Sequence, residues 1–281
     1  MFTIKENLLH DFIKDDLPYF DLTTMLQNAN DKTGTLEIFT REAVVVSCIT
    51  EACTIAKILG VDVLNFLPEG ASAQKGEVLL RLEGKYTKLH QVWRSCQNLL
   101  EYSCAIATYT HEFAKNIHQI NPECQLLATR KSFPFAKEFC IKSVLAGGGM
   151  IHRLNLSETV LFFANHRVMY ASNREFLTAL AQMQKKVPEK KIVVEVKSFE
   201  DAKILIDANV AVIQTDKLSL QDLEKTIAYK QKQSPQTKVV AAGGINKDNC
   251  KAYVETGIDA IVTSSVYAVK PSDLGAKIAL D

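Results

Sequence analysis

Residues 191–216 read KIVVEVKSFEDAKILIDANVAVIQTD. An apolar, β-branched run (191–196) is followed by a segment of helical periodicity that starts at Ser198, and then by a second apolar run from 211. Two short runs, apolar throughout and joined by an amphipathic helix, predict strands covered on both faces, which is the signature of a parallel sheet. The pattern extends in both directions. Apolar runs of four to six residues fall at 125–128, 159–163, 191–196, 211–214, 238–242 and 260–263. Helices with Ser, Asp or Asn starts are predicted over 198–208, 219–231 and 247–256. About six such units can curl into a barrel.

Upstream of residue 124 the pattern differs. A helix is predicted over 4–15, ending before Pro18, and Asp21-Leu22-Thr23-Thr24 has the residue types of a helix cap. Two β-rich runs follow at 35–40 and 43–50, then a helix at 52–59 stopped by Gly60 and a strand at 78–83. Residues 86–117 lack glycine and carry Leu89, Val92, Trp93, Cys96, Leu99, Leu100 and Ile106 at helical spacing. The expectation is an α/β protein in two parts. An N-terminal α/β open-sheet domain spans 1–110, and an incomplete α/β barrel spans 111–270. Residues 271–281 form a tail that can pack on the first part. A chain of 281 residues accommodates either one large barrel or two such domains.

Bulk properties exclude several classes. The net charge of +1 gives no global field for nucleic acid or an anionic membrane, so any anion site is local. The N-terminus is charged where a signal peptide is apolar, and no apolar run nears the roughly 20 residues that span a bilayer. The expected location is the cytoplasm. Seven scattered cysteines without a CxxC pair argue against a disulfide framework and a thiolate zinc site.

Barrel enzymes place their chemistry at the C-terminal ends of the strands. After the first run come Thr129-Arg130-Lys131; after the later ones come Glu195 and Lys197, then Gln214 and Asp216, then Gly243-Gly244, and last Thr263-Ser264-Ser265. Gly147-Gly148-Gly149 with His152-Arg153 interrupts the series, as does Asn165-His166-Arg167. A Gly-Gly pair lets backbone N–H groups approach a phosphate, a helix starting near Asn246 would add its dipole, and Ser264 adds a hydroxyl. Arg130, Lys131, His152 and Arg153 suit a ligand with several anionic groups. Glu195 and Asp216 can hold Mg²⁺ through water or ribose hydroxyls, or act as an acid–base pair.

These loops, in this order, resemble those of type II phosphoribosyltransferases, specifically quinolinate phosphoribosyltransferase. T-R-K-x-x-P is matched by Thr129-Arg130-Lys131-Ser132-Phe133-Pro134, and G-G-G-x-x-H-R-x-x-L by 147–156. Val194-Glu195-Val196, Asp216 and Gly243-Gly244-Ile245 follow in register. Several departures are similar to the molybdenum-transport-operon branch of the family. Phe163 stands in the place of a family lysine, Ala242 precedes the Gly-Gly pair, and Ser264 replaces a late glycine.

The resemblance implies the type II phosphoribosyltransferase fold and transfer of phosphoribose from phosphoribosyl pyrophosphate (PRPP), with Mg²⁺, to a ring nitrogen of an aromatic acid. Arg130, Lys131, His152 and Arg153 would line the acceptor and pyrophosphate pocket. Glu195 and Asp216 would hold the ribose hydroxyls and Mg²⁺, while Gly243, Gly244 and Ser264 would hold the 5′-phosphate. Arg94 aligns with an arginine supplied by a partner subunit, which implies a homodimer. The alternatives are quinolinate phosphoribosyltransferase of NAD biosynthesis, a Schiff-base aldolase using Lys131, and a non-catalytic anion-binding protein linked to molybdate transport.

Overall fold

The apolar runs between residues 125 and 263 become parallel strands in a computed structural model of the chain, which describes residues 3–27 and 32–281. The chain divides into two units. The second comprises Glu112–Lys131 and Gly149–Val266. Its sheet has seven strands in the spatial order Met150–Ile151, Gln125–Ala128, Ala260–Thr263, Lys238–Ala242, Val212–Asp216, Ile192–Val196 and Val160–Phe162. This curled sheet is an incomplete α/β half-barrel. Its two edge strands are only two and three residues long, which limits the row of unpaired backbone groups at each edge.

Strand alternation sorts the side chains. Val194, Val196 and Ile213 pack on one face with Ala202, Leu205, Ile206, Phe176 and Leu180 of the covering helices. The opposite face carries Leu127, Val212, Val240, Ala242, Ala260 and Val262. The register places Gln214 beside Glu195, and Asp216 beside Ala242. Two of the covering helices start as expected: Ser198 Oγ accepts from Asp201 N–H ahead of Phe199–Asp207, and Ser219 Oγ accepts from Asp222 N–H ahead of Leu220–Gln233.

The first unit comprises Met1–His111, Ser132–Gly148 and Tyr267–Asp281. Its antiparallel sheet runs Leu274–Leu280, Thr33–Thr40, Val78–Lys85 and Asp62–Phe66. Leu36, Ile38, Leu80 and Leu82 point from it into a core shared with the helix Ile49–Ile58 and with Leu89, Val92, Cys96, Leu99 and Leu100 of the helix Tyr86–His118. Asp21 caps as its residue type suggests, its carboxylate accepting from the Thr23 N–H and the Thr24 hydroxyl ahead of Leu22–Gln27.

The run 43–50 is not one strand. Only Val44–Val45 is extended, paired with Ser72–Ala73, and the helix begins at Ile49. Cys48 breaks the run by adopting φ +58 while its N–H donates to Glu69 Oε1 at 2.7 Å. Residues 132–148, expected within the barrel, group with the first unit.

That segment carries a buried cation. Lys142 Nζ lies 2.5 Å from Glu51 Oε2, 2.6 Å from Thr50 Oγ1 and 3.4 Å from Glu69 Oε2, with all three charged side chains withdrawn from water. Burial works against the ammonium, yet the Glu51 hydrogen bond and the two carboxylate charges outweigh it, so its pKa is raised. Removing one partner strands the other charges. Lys142→Ala is expected to cost about 3–5 kcal/mol of stability, read from the urea midpoint of the variant. A shift below about 1 kcal/mol would show that the cluster is not needed.

Candidate active site

The parallel arrangement brings the C-terminal ends of the strands of the second unit to one rim, where chain connections stitch the loops together. Thr129 N–H donates to the Thr263 carbonyl at 2.9 Å, joining the loop that holds Arg130-Lys131 to the loop that holds Ser264. Thr263 Oγ1 in turn donates to the Ile245 carbonyl at 2.6 Å, joining Ser264 to Gly243-Gly244. His152 N–H donates to the Ala128 carbonyl at 2.9 Å, so His152-Arg153 leaves the sheet next to Arg130.

Arg153 is 6% exposed. Its hydrogen bond is a long one, 3.4 Å, to the Thr159 carbonyl, and its guanidinium stands 6.0 Å from the centre of the Phe163 ring. Thr159 and Phe163 flank the edge strand Val160–Phe162, whereas Arg153 follows the other edge strand, Met150–Ile151. The guanidinium therefore reaches between the two unpaired edges of the half-barrel. Among the described residues no carboxylate pairs with Arg153 or Arg130. Burial lowers the Arg153 pKa, and the charge of Arg130 lowers it further. A buried cation backed by a second cation is costly unless an anion joins it.

The rim also holds the two carboxylates. Glu195 is half-buried, and burial raises its pKa, with the charge of Asp216 adding to the effect. Three groups oppose the rise. Gln214 Nε2 donates to Glu195 Oε2 at 3.0 Å, and the charges of Lys197 and Lys131 act in the same sense. Gln214 is itself 4% exposed, and its Oε1 has no hydrogen-bond partner. Among the described residues, no group of three or more His, Cys, Asp or Glu side chains is arranged as a metal cage. Two neighbouring carboxylates suit a Mg²⁺ that arrives with a phosphorylated ligand, because that ion keeps most of its waters and takes only one or two protein carboxylates.

Gly243 and Gly244 have φ +96 and +81, and nothing lies within 4 Å of a Cβ built on Gly244. The seat is open. The helix Cys250–Glu255 follows a turn at 247–249, and Asn246 opens it: its Oδ1 accepts from the Asp248 and Asn249 N–H groups, and its carbonyl accepts from the Cys250 N–H at 3.1 Å.

The candidates Arg130, Lys131, His152, Arg153, Glu195, Asp216, Gly243, Gly244 and Ser264 all lie in the second unit. Arg94 lies in the first unit, exposed, its guanidinium 5.1 Å from the Trp93 ring centre. Gln214, one of the strand-end residues noted in the sequence, had no role assigned there, and the structure sets it against Glu195. Phe163 stacks on His166 at 5.8 Å, and His166 Nδ1 accepts from the Phe163 N–H. The seven cysteines are buried, and burial raises every thiol pKa, that of Cys53 to about 11, so none is primed as a nucleophile. No helix among the described residues is long and apolar enough to cross a membrane.

Comparison with known proteins finds relatives along nearly the whole chain. Residues 21–104 match the family model for the N-terminal domain of quinolinate phosphoribosyl transferase, and residues 106–277 match that for its C-terminal domain. ModD of Escherichia coli O157:H7 is 32% identical over 274 residues, covering 98% of this chain and 96% of that protein. The nicotinate-nucleotide pyrophosphorylase [carboxylating] of Mycobacterium leprae is 26% identical over 269 residues, covering 94% of this chain and 93% of that protein. NadC from Streptococcus pyogenes has the same fold, with a TM-score of 0.89 at 23% identity over 98% of this chain and 96% of that chain.

His152 lines the interior of the half-barrel with Gln125, Leu127, Val212 and Val240, and it offers a direct probe of the Arg153 charge. Burial first, and the Arg153 charge second, hold its imidazole below the usual pKa, with Glu158 opposing them. Its ring-proton resonance is expected to titrate below about 6.5. Arg153→Met should move that midpoint up, because a repelling charge is gone. An unchanged midpoint would mean that the two side chains do not share a field.

Proposed function

The chain belongs to the quinolinate phosphoribosyltransferase family, and on that premise we propose that it transfers phosphoribose from PRPP to the ring nitrogen of an aromatic carboxylic acid, releasing pyrophosphate. The observation that carries the reading is the unpaired, buried Arg153 beside Arg130, across the rim from Glu195 and Asp216. Cations without partners on one side and repelling carboxylates on the other match a ligand that is anionic at its acid and pyrophosphate groups. The same ligand becomes cationic at its sugar during reaction.

The steps follow from that charge pattern. Arg130, Lys131, His152 and Arg153 receive the acceptor's carboxylate and the pyrophosphate, and Gly243, Gly244 and Ser264 receive the 5′-phosphate. Glu195, steadied by Gln214, and Asp216 hold the ribose hydroxyls. Glu195 and Asp216 would also hold Mg²⁺, which supplies charge neutralisation on the pyrophosphate. The anomeric C–O bond breaks with its electron pair leaving on pyrophosphate, and the ring nitrogen's lone pair forms the new C–N bond. Carboxylates beside the sugar favour the oxocarbenium-like transition state, while the cations favour the leaving group. Positioning and charge suffice, so no covalent nucleophile is needed. The reading goes with a cytoplasmic homodimer in which Arg94 completes the neighbouring subunit's site.

Two acceptors are in contention. Quinolinate has the stronger support, since relatives along nearly the whole chain are named carboxylating nicotinate-nucleotide pyrophosphorylases; the protein would then serve NAD biosynthesis. A different aromatic acid, in a ModD-type role, is favoured by Phe163, an uncharged ring beside Arg153 where the family resemblance has a lysine. Pyrophosphate release measured with PRPP, Mg²⁺ and quinolinate, then with a panel of aromatic acids, separates them. Tight anion binding without any pyrophosphate release would instead favour a non-catalytic role.

Arg130→Ala is expected to lower turnover about 10²-fold, the scale of losing one preorganised electrostatic contact. Near-normal turnover would remove Arg130 from the mechanism. Phe163→Lys is expected to raise kcat/KM for quinolinate about tenfold relative to a monocarboxylate acceptor, as befits one added charge-assisted hydrogen bond. No change in that ratio would show that residue 163 does not face the acceptor.

A further inference from the structure

The turn after the strand Val212–Asp216 places a lysine in an unusual position. Lys217 has φ +57, a left-handed backbone that residues with side chains avoid. Its N–H donates to the Ala242 carbonyl at 3.0 Å, so the turn is fastened to the neighbouring strand immediately before Gly243. The side chain then crosses that glycine. A Cβ on Gly243 would overlap Lys217 Cγ and would stand 2.7 Å from both Lys217 N and Asp216 Oδ1. Gly243 is thus required for its own positive φ and for the lysine stem that lies over it.

Among the described residues no carboxylate forms an ion pair with Lys217. Strained backbone conformations persist where surrounding structure enforces them, and they cluster at ligand clamps. The other donors proposed for the seat beside Lys217, the backbone N–H groups of the Gly243-Gly244 turn and the Ser264 hydroxyl, are neutral. Arg130 follows Gln125–Ala128, next to the strand that leads to Ser264, whereas Lys217 follows Val212–Asp216, next to the strand that leads to Gly243. The Lys217 ammonium lies three bonds beyond the Cγ that touches Gly243, and the space over Gly244 is open.

We infer that Lys217 is the cation of this seat and pairs with the 5′-phosphate of the phosphorylated sugar. The inference rests on the phosphoribosyl-transfer reading and adds to it a binding residue that contributes affinity for the sugar phosphate rather than for the leaving group. An ammonium is suited to the task as a compact point charge on a flexible arm.

Isothermal titration of the full chain with three probes tests it: PRPP, ribose 5-phosphate, which carries the 5′-phosphate alone, and inorganic pyrophosphate. Lys217→Met keeps the stem over Gly243, and Lys217→Gly accepts the positive φ without strain. Both variants are expected to bind PRPP and ribose 5-phosphate about tenfold or more weakly, the scale of one charge-assisted hydrogen bond, while pyrophosphate affinity stays within about twofold. Lys217→Arg should retain most of the affinity. Wild-type affinity of Lys217→Met for ribose 5-phosphate overturns the inference and leaves the phosphoribosyl-transfer reading standing. Selective loss of pyrophosphate affinity also overturns it, by moving Lys217 to the leaving-group side. Failure of the wild-type chain to bind PRPP or ribose 5-phosphate overturns both.

Discussion

In a parallel sheet all strands point the same way, and their side chains alternate between two faces. One face of the seven-stranded half-barrel is committed to the helices through Val194, Val196 and Ile213. The residues between them have only the concave side to occupy, and near the C-terminal ends they are Glu195, Gln214 and Asp216. Convergence of chemistry at one rim is thus a geometric result of strand direction and pleat. The hydrogen bonds from Thr129 to Thr263 and from Thr263 to Ile245 then lock separate loops into a single frame.

Charge is distributed over that frame in a way that costs stability in the absence of ligand. Arg130 acts against Arg153, and Asp216 acts against Glu195. Like charges held side by side are poorly accommodated by a protein alone. In the proposed reaction each pair would face a part of the substrates that carries or develops the opposite sign. The Gln214 hydrogen bond and the charges of Lys197 and Lys131 offset part of the rise at the half-buried Glu195.

Much of this was legible in the sequence because the informative features are local. Runs such as 125–128 and 238–242 announce buried strands by composition, and the dipeptides that follow them are catalytic candidates by position alone. What could not be read depended on distant partners or on competition between short-range bonds. Met150–Ile151 is a strand only because Leu127 and Ala128 pair with it. Leu274–Leu280 owes its extension to Thr33–Thr40. At Asn246 the cap is legible, but the turn at 247–249 that separates it from the helix Cys250–Glu255 is not marked by periodicity. The left-handed Lys217 has no sequence signature, because its turn is fastened to the Ala242 carbonyl of a neighbouring strand distant in sequence.

The pairing of Gly34 with Leu280 has a consequence for biogenesis. The antiparallel sheet of the first unit takes one edge strand from residues 274–280, so during synthesis that sheet waits on residues made more than two hundred positions later. The second unit has no such delay beyond Val266. Barrel strands can therefore assemble on the ribosome while Thr33–Thr40 still presents an unpaired edge, a surface open to wrong partners until translation delivers its mate.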